Sequence, residues 1–131
     1  MLEKESPETC AGVWNALPIE AELGHSIFNG QVLNVHLDQL RIRRVENPLV
    51  LGMVRGDVLV NTRLDNLNEP RGGYQQIRIV CGPAISFTSE VGFEPVNVFA
   101  RIVEGDLGEL SAVWREVHTK GVQRIRIRRV E

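Results

Sequence analysis

Residues 97–130 have the sequence NVFARIVEGDLGELSAVWREVHTKGVQRIRIRRV, in which the spacing of the apolar residues changes twice. Residues 97–103 are rich in β-branched and aromatic side chains, which predicts a strand. Across residues 107–118 the apolar residues recur every three to four positions, which predicts a helix with one buried face. Further along, Ile125 and Ile127 alternate with arginines, which is typical of a strand with one face in water. A strand, a helix and a second strand therefore follow one another at this end of the chain.

A second helix is predicted near the other end of the sequence, over residues 7–17. Ser6 is a good N-cap, Pro7 suits the first helical position because its missing N–H is harmless there, and Pro18 ends the run. The apolar stripe of this helix consists of Cys10, Val13, Trp14 and Leu17. Because such a stripe covers a core, we expect the tryptophan in each of the two helices to face the protein interior.

Short runs of alternating or β-branched residues, bounded by glycine-containing turns, predict strands between and after the helices. The predicted strands are residues 19–23, 57–61, 76–81, 97–103 and 122–130. Because strands outnumber helices, we expect a mainly β protein: a small antiparallel barrel or closed sheet capped by two helices, near 7–17 and 107–118. The length of 131 residues fits one domain over residues 1–131.

Charge and composition exclude several classes of partner. The chain has 15 basic and 17 acidic residues and a net charge of −2, so no overall field attracts nucleic acid or an anionic membrane. The sequence has no apolar run long enough for a membrane helix, and its start, MLEKESPETC, is charged where a signal peptide is apolar, so we expect a cytoplasmic protein. Cys10 and Cys81 lack metal-ligand spacing, and neither a phosphate-binding loop nor a dinucleotide motif is present, so we expect no cofactor and no metal.

Arginine is concentrated in a hexamer, RIRRVE, that occurs at residues 41–46 and again at 126–131. Around the second copy, Arg124, Arg126 and Arg128 alternate with Ile125 and Ile127, which places these arginines on one face of the predicted strand. We favour a solvated outer face that discourages aggregation at a sheet edge. The alternative is a surface that contacts phosphate or carboxylate groups.

Two segments together resemble the cyclophilins. Residues 6–17 are similar to the helix start with a small or acidic residue, proline, any residue and threonine, and residues 98–105 are similar to the cyclophilin motif V-F-G-x-V-x-x-G. Within that fold, the sequence most resembles compact bacterial and archaeal cyclophilin-like proteins of uncharacterised function. The residues that carry this closer likeness are Leu17-Pro18, His25-x-x-Phe28-x-Gly30, Glu46-Asn47 and Arg55-Gly56-Asp57. The resemblance implies a cyclophilin-like barrel.

The sequence departs from the cyclophilin pattern at two places. Only Met1 to Glu5 precede the first helix, where cyclophilins have a strand, so the first strand of the barrel is missing unless a longer gene product or a partner chain supplies it. An open sheet edge leaves backbone groups unpaired, which favours a homo-oligomer. The Phe-His-Arg-Val, Gln-Gly-Gly-Asp and Gln-Phe-Phe motifs of the cyclophilins are absent as well, so we expect no prolyl isomerase activity.

Candidate ligand-binding residues come from the polar and aromatic positions that the barrel fold would group together. His25 is either a ligand donor or general base, or a loop histidine bonded to backbone. Glu46 and Asn47 either point into a barrel mouth or form a turn before Pro48. The predicted site consists of His25, Phe28, Glu46, Asn47, Tyr74 and Phe87.

Three functional hypotheses follow from this pattern. The first is a cyclophilin-like domain without isomerase residues that binds a small polar metabolite or serves as a non-catalytic component of a metabolic system. The second is a hydrolase or isomerase of small molecules that uses His25 or Glu46 as a base. The third is a structural homo-oligomer without a ligand.

Overall fold

The computed structural model describes residues 1–26, 29–37, 40, 42, 44–61, 75–84, 87–89 and 92–130. The helices are α1 (Pro7–Ala16) and α2 (Leu107–Lys120), and a 3₁₀ turn at Glu104–Asp106 leads into α2. The strands are β1 (Ile19–His25), β2 (Gly30–Leu37), β3 (Pro48–Leu49), β4 (Asp57–Asn61), β5 (Gln75–Ala84), β6 (Phe87–Ser89), β7 (Gly92–Glu94), β8 (Val96–Arg101) and β9 (Gln123–Ile127).

Seven of the described strands form one sheet in the order β3-β8-β4-β5-β2-β1-β9, and β6 and β7 form a separate hairpin. Every pairing in the sheet is antiparallel. Side chains of β8 and β9, which lie near opposite ends of the strand order, line one cavity together with residues of α1. The sheet is therefore strongly curved. The prediction of a mainly antiparallel β protein with two helices is confirmed.

The alternation of side chains along the strands divides the apolar residues into two clusters, one on each face of the sheet. On the concave face, the larger cluster includes Val58 and Val60 of β4 and is covered by both helices. On the convex face, Leu59 belongs to a smaller cluster with Met53. The helices contribute Cys10 and Val13 from α1 and Val117 from α2 to the larger cluster. These contacts confirm Cys10 and Val13 as buried members of the apolar stripe predicted for α1.

One tryptophan does not face the core. Trp14 is 45% exposed, and the Arg129 guanidinium lies over its ring, 4.7 Å from the ring centroid. Arg129 also donates a hydrogen bond of 2.9 Å from Nη2 to the backbone oxygen of Trp14, so the chain after β9 is fixed to the end of α1. The prediction for Trp14 is therefore wrong. Trp114 packs against the larger cluster, as expected.

Segment boundaries differ from the predictions at several strands. β4 matches the predicted range, whereas β5 is longer at both ends, β8 ends two residues early and β9 is confined to five residues. β2, β3, β6 and β7 were not among the predicted strands. Leu2 donates a hydrogen bond of 2.7 Å to the Phe99 carbonyl, so the residues before α1 lie along β8. No helix among the described residues has the length and apolar character that crossing a bilayer requires.

Candidate functional site

The Glu46 carboxylate caps the first helix. Its Oε1 accepts a hydrogen bond of 3.0 Å from the Glu8 amide, and its Oε2 accepts bonds of 2.9 Å from the Thr9 amide and the Thr9 hydroxyl. The amides at a helix N-terminus have no partner within the helix, and the helix dipole there favours negative charge. Ser6, the predicted cap, donates its hydroxyl to the Val98 carbonyl at 2.8 Å instead. Glu46 therefore serves as a long-range cap of α1.

Two opposing effects act on the pKa of Glu46. Burial disfavours the charged carboxylate and raises the pKa, while the bonds from the Thr9 and Glu8 amides and from the Thr9 hydroxyl lower it, as does the charge of Arg44. The hydrogen bonds and the arginine outweigh burial, so the pKa lies below the usual value of 4.5. Glu46 is therefore ionised at neutral pH, with both carboxylate oxygens already bonded.

Asn97 holds the segment that carries Glu46. Its side chain is fully buried; Oδ1 accepts a bond of 2.8 Å from the Glu46 amide, and Nδ2 donates to the Arg44 carbonyl at 2.9 Å. Asn47 adds a bond of 2.9 Å from Nδ2 to the Val98 carbonyl and has a φ of 36°, in the left-handed region that asparagine tolerates. These bonds fix residues 44–47 against β8.

His25 lies at the other end of the strand order from Asn97, at the end of β1. Its Nδ1 is 3.1 Å from the Ser26 carbonyl oxygen, and its ring meets the His118 ring edge-on with centroids 4.9 Å apart. His118 in turn stacks on Trp114, with centroids 4.7 Å apart and an angle of 11° between the rings. The i, i+4 spacing of Trp114 and His118 places both on one face of α2. This spacing is a sequence signal for the cluster, of which the predicted site contained His25 but neither Trp114 nor His118.

An apolar cavity of about 230 Å³ lies between α1 and the concave face of the sheet. Strands from both ends of the sheet contribute to its wall, and several of the wall side chains are only partly buried because they face this space. The described lining residues are Met1, Val13, Leu17, Val58, Ile77, Ile79, Phe99, Ala100, Ile102, Ile125 and Ile127. All of these side chains are apolar, so the cavity favours an apolar occupant.

Both thiols are buried and free. Burial raises the pKa of Cys81 to about 11, and burial also raises the pKa of Cys10, whose Sγ lies 3.3 Å from the Phe99 carbonyl oxygen. A thiol is a nucleophile only as the thiolate, so these environments favour inert packing. Within the described ranges, no cluster of three histidine, cysteine or acidic side chains has the geometry of a metal site.

Comparison with known proteins gives a family and a fold. Residues 1–128 match the family described as "Protein of unknown function (DUF3830)". The chain belongs to this family. Among curated proteins, no sequence matches this DUF3830 chain.

The DUF3830 chain is similar in fold to a solved structure, McbB in complex with tryptophan, with a TM-score of 0.74 and 18% sequence identity. The match covers 97% of this chain and 38% of McbB, so the chain spans less than half the length of that protein. A likeness at this identity concerns the fold alone. It is consistent with the cyclophilin-like barrel expected from the sequence.

The structure separates the predicted site residues of the DUF3830 chain. Glu46 and Asn47 lie at the α1–β8 contact, while His25 contacts α2, and no hydrogen bond between described residues joins His25 to Glu46. Phe28 and Tyr74 lie outside the described residues. Phe87 belongs to β6, where its backbone pairs with Glu94, and its side chain lies outside the description. Apart from Met1, the cavity residues were predicted only as parts of helices and strands.

Proposed function

We propose that this DUF3830 chain is a non-catalytic binding domain that holds a small, largely apolar molecule in the cavity between α1 and the curved sheet. The observation that carries the proposal is the cavity wall, in which every described lining side chain is apolar. Transfer of apolar surface from water into such a space is favourable by roughly 25 cal/mol per Å². Partly buried wall residues such as Ile79 and Ile102 would lose their remaining exposure when a ligand binds.

The volume of the cavity limits the size of the ligand. An engineered cavity of about 150 Å³ in another protein binds benzene, and drug-sized ligands occupy roughly 300 to 1,000 Å³. At about 230 Å³, this cavity matches a single or fused aromatic ring, or a short branched hydrocarbon. McbB, the protein of similar fold, is in complex with tryptophan, which makes indole a reasonable first probe.

The bonds of Glu46 favour an apolar ligand over the polar metabolite expected from the sequence. Both carboxylate oxygens of Glu46 are bonded to residues 8 and 9, so they offer little to a ligand. None of the described side chains that line the cavity is titratable, and general acid–base catalysis needs a titratable group in reach of the substrate. Both points support binding without catalysis. A role for His25 toward a polar ligand stays a prediction.

Filling the cavity tests the proposal. Ala100→Leu adds a branched apolar side chain to the wall, so we expect it to abolish indole binding while leaving the protein folded. In a thermal unfolding assay, indole at 100 times its Kd stabilises the wild type by ~2.7 kcal/mol, and the stabilisation disappears in the variant.

Ala112→Leu is the matched control, because the same atoms are added to an exposed position on α2. This variant keeps the full response to indole. The proposal is wrong if wild type shows no response to indole or to other aromatic probes of similar size. It is also wrong if the Ala100 variant responds as strongly as the control.

A further inference from the structure

The two edges of the sheet differ in how their backbone groups are satisfied. At one end, the two-residue strand β3 pairs with β8, and next to it Leu2 donates to the Phe99 carbonyl while Ser6 and Asn47 both donate to the Val98 carbonyl. At the opposite end, β9 pairs with β1, and among the described strands it has no second neighbour. An edge strand with unpaired N–H and C=O groups is a template for another strand. Within the part of the chain that the structure describes, the β9 edge therefore has backbone groups available for pairing.

The side chains of β9 specify what kind of strand fits beside it. Ile125 and Ile127 line the cavity, while Arg124 and Arg126 alternate with them and point to the opposite, solvated face. A strand added at this edge would extend both rows. Its inward side chains would continue the apolar wall, and its outward side chains would lie beside the arginines.

β1 shows the complementary pattern on the paired side of β9. In the antiparallel register, Glu20 is opposite Arg126 and Glu22 is opposite Arg124, and the Arg126 Nε lies 3.5 Å from the Glu20 Oε1. The residues between the two glutamates and beside them are Ile19, Ala21 and Leu23, which face the core. The strand that this protein itself places against β9 thus alternates apolar and acidic residues.

We infer that the free edge of β9 binds an extended peptide segment in which apolar and acidic residues alternate. Its backbone pairs with β9, its apolar side chains enter the cavity rim, and its carboxylates face Arg124 and Arg126. The inference shares the cavity with the proposed function, but it depends in addition on the strand edge and the arginines. A second copy of β9 fits this edge poorly, because it would place arginines beside arginines.

Peptide binding to the wild-type protein tests the inference. The probe is fluorescein-labelled Ile-Glu-Ala-Glu-Leu, the sequence of residues 19–23, and its matched control carries lysine in place of both glutamates. By fluorescence anisotropy we expect the lysine peptide to bind about tenfold more weakly or worse, because two exposed charge pairs change from attraction to repulsion. N-methylation of the backbone amides that would face β9 abolishes binding of the acidic peptide.

The double variant Arg124→Gln, Arg126→Gln tests whether the arginines of β9 cause the preference for the acidic peptide. We expect this variant to bind the acidic and lysine peptides about equally, while its thermal response to indole is unchanged, because the arginines lie on the other face from the cavity. Equal binding of both peptides by the wild type, or no binding at all, overturns the inference. A dimer in sedimentation that excludes the peptide assigns the edge to a second copy and also overturns it.

The indole assay separates this inference from the proposed function. If the protein responds to indole but does not bind the acidic peptide, only the inference that the β9 edge binds a peptide is wrong. A protein that binds the peptide through β9 but gives no response to aromatic probes disproves the small-molecule proposal alone.

Discussion

Glu46→Ala is expected to lower the free energy of unfolding by about 3 kcal/mol at neutral pH. The substitution removes the acceptor of three hydrogen bonds, two of them from the Glu8 and Thr9 amides at the start of α1. Those amides have no partner within the helix. Because Thr9 is fully buried, water does not replace the lost carboxylate as the acceptor for its amide and hydroxyl. The effect is measured as the change in urea midpoint at constant m.

Acid should reduce the difference between wild type and the Glu46 variant. The folded-state pKa of Glu46 lies below its usual value of 4.5, so the carboxylate contributes stability above that value and loses it as the pH falls through the folded-state pKa. We therefore expect the difference in unfolding free energy to be largest at neutral pH and to shrink on acidification below 4.5. A difference that stays constant into the acid range contradicts the role of the charge.

Glu109→Ala is the matched control for the Glu46 substitution. Glu109 is also acidic and lies in the first turn of a helix, α2, but it is exposed. Its contribution comes from the helix dipole alone, which is worth roughly 0.3–1 kcal/mol, and alanine recovers part of it through helix propensity. Equal losses for the two variants would show that the hydrogen bonds of Glu46 add nothing.

The cap of α1 could not be predicted from the sequence. Local capping motifs place the acid within a few residues of the helix start, and Ser6 and Pro7 matched such a motif. The acid that binds the Thr9 amide is Glu46, 37 residues away in the chain, and the Ser6 hydroxyl is taken by the Val98 carbonyl. Because β8 determines both contacts, only the tertiary structure identifies the cap.

The sequence pattern of β4, which was predicted, differs from that of β2, a long strand that was not. β4 is buried on both faces, and its run of valine and leucine between turns is sufficient to predict it. In β2, Leu33, Val35 and Leu37 alternate with Asn34 and His36, while Val32 and Leu33 are both buried because they lie on opposite faces that are each covered by an apolar cluster. The period of two over residues 33–37 is therefore a sequence signal for β2 that the predicted strands did not include.

The cavity depends on curvature, which the sequence does not specify locally. Ile125 and Ile127 were predicted as one face of a strand, and the segment with Phe99 and Ala100 as another strand. That these faces border one space follows from the bending of a seven-stranded sheet, in which β8 and β9 are far apart in the strand order. The separation of His25 from Glu46 follows from the strand order, since His25 ends β1 and Glu46 is held by Asn97 of β8.

Gly30→Ala is the second substitution with a large expected effect. Gly30 begins β2, pairs with Ala84 and has a φ of +93°, a conformation that side chains disfavour. A Cβ there would overlap the Pro83 carbonyl oxygen and would lie 2.9 Å from the Ala84 Cα. Both contacts are with backbone of the paired strand, so relief requires movement of β2 away from β5. We expect a loss of at least about 3 kcal/mol in the free energy of unfolding.

Gly52→Ala isolates the conformational part of that loss. Gly52 has a similar φ of +81°, but a Cβ at this position would meet no atom within 4 Å, so only the backbone strain of about 1 kcal/mol applies. The difference between the two variants in urea unfolding therefore measures the steric conflict at the β2–β5 pairing. If Gly30→Ala is no more destabilising than Gly52→Ala, the close approach of β2 and β5 at Pro83 is wrong, and with it the bulged register that begins at Gly30.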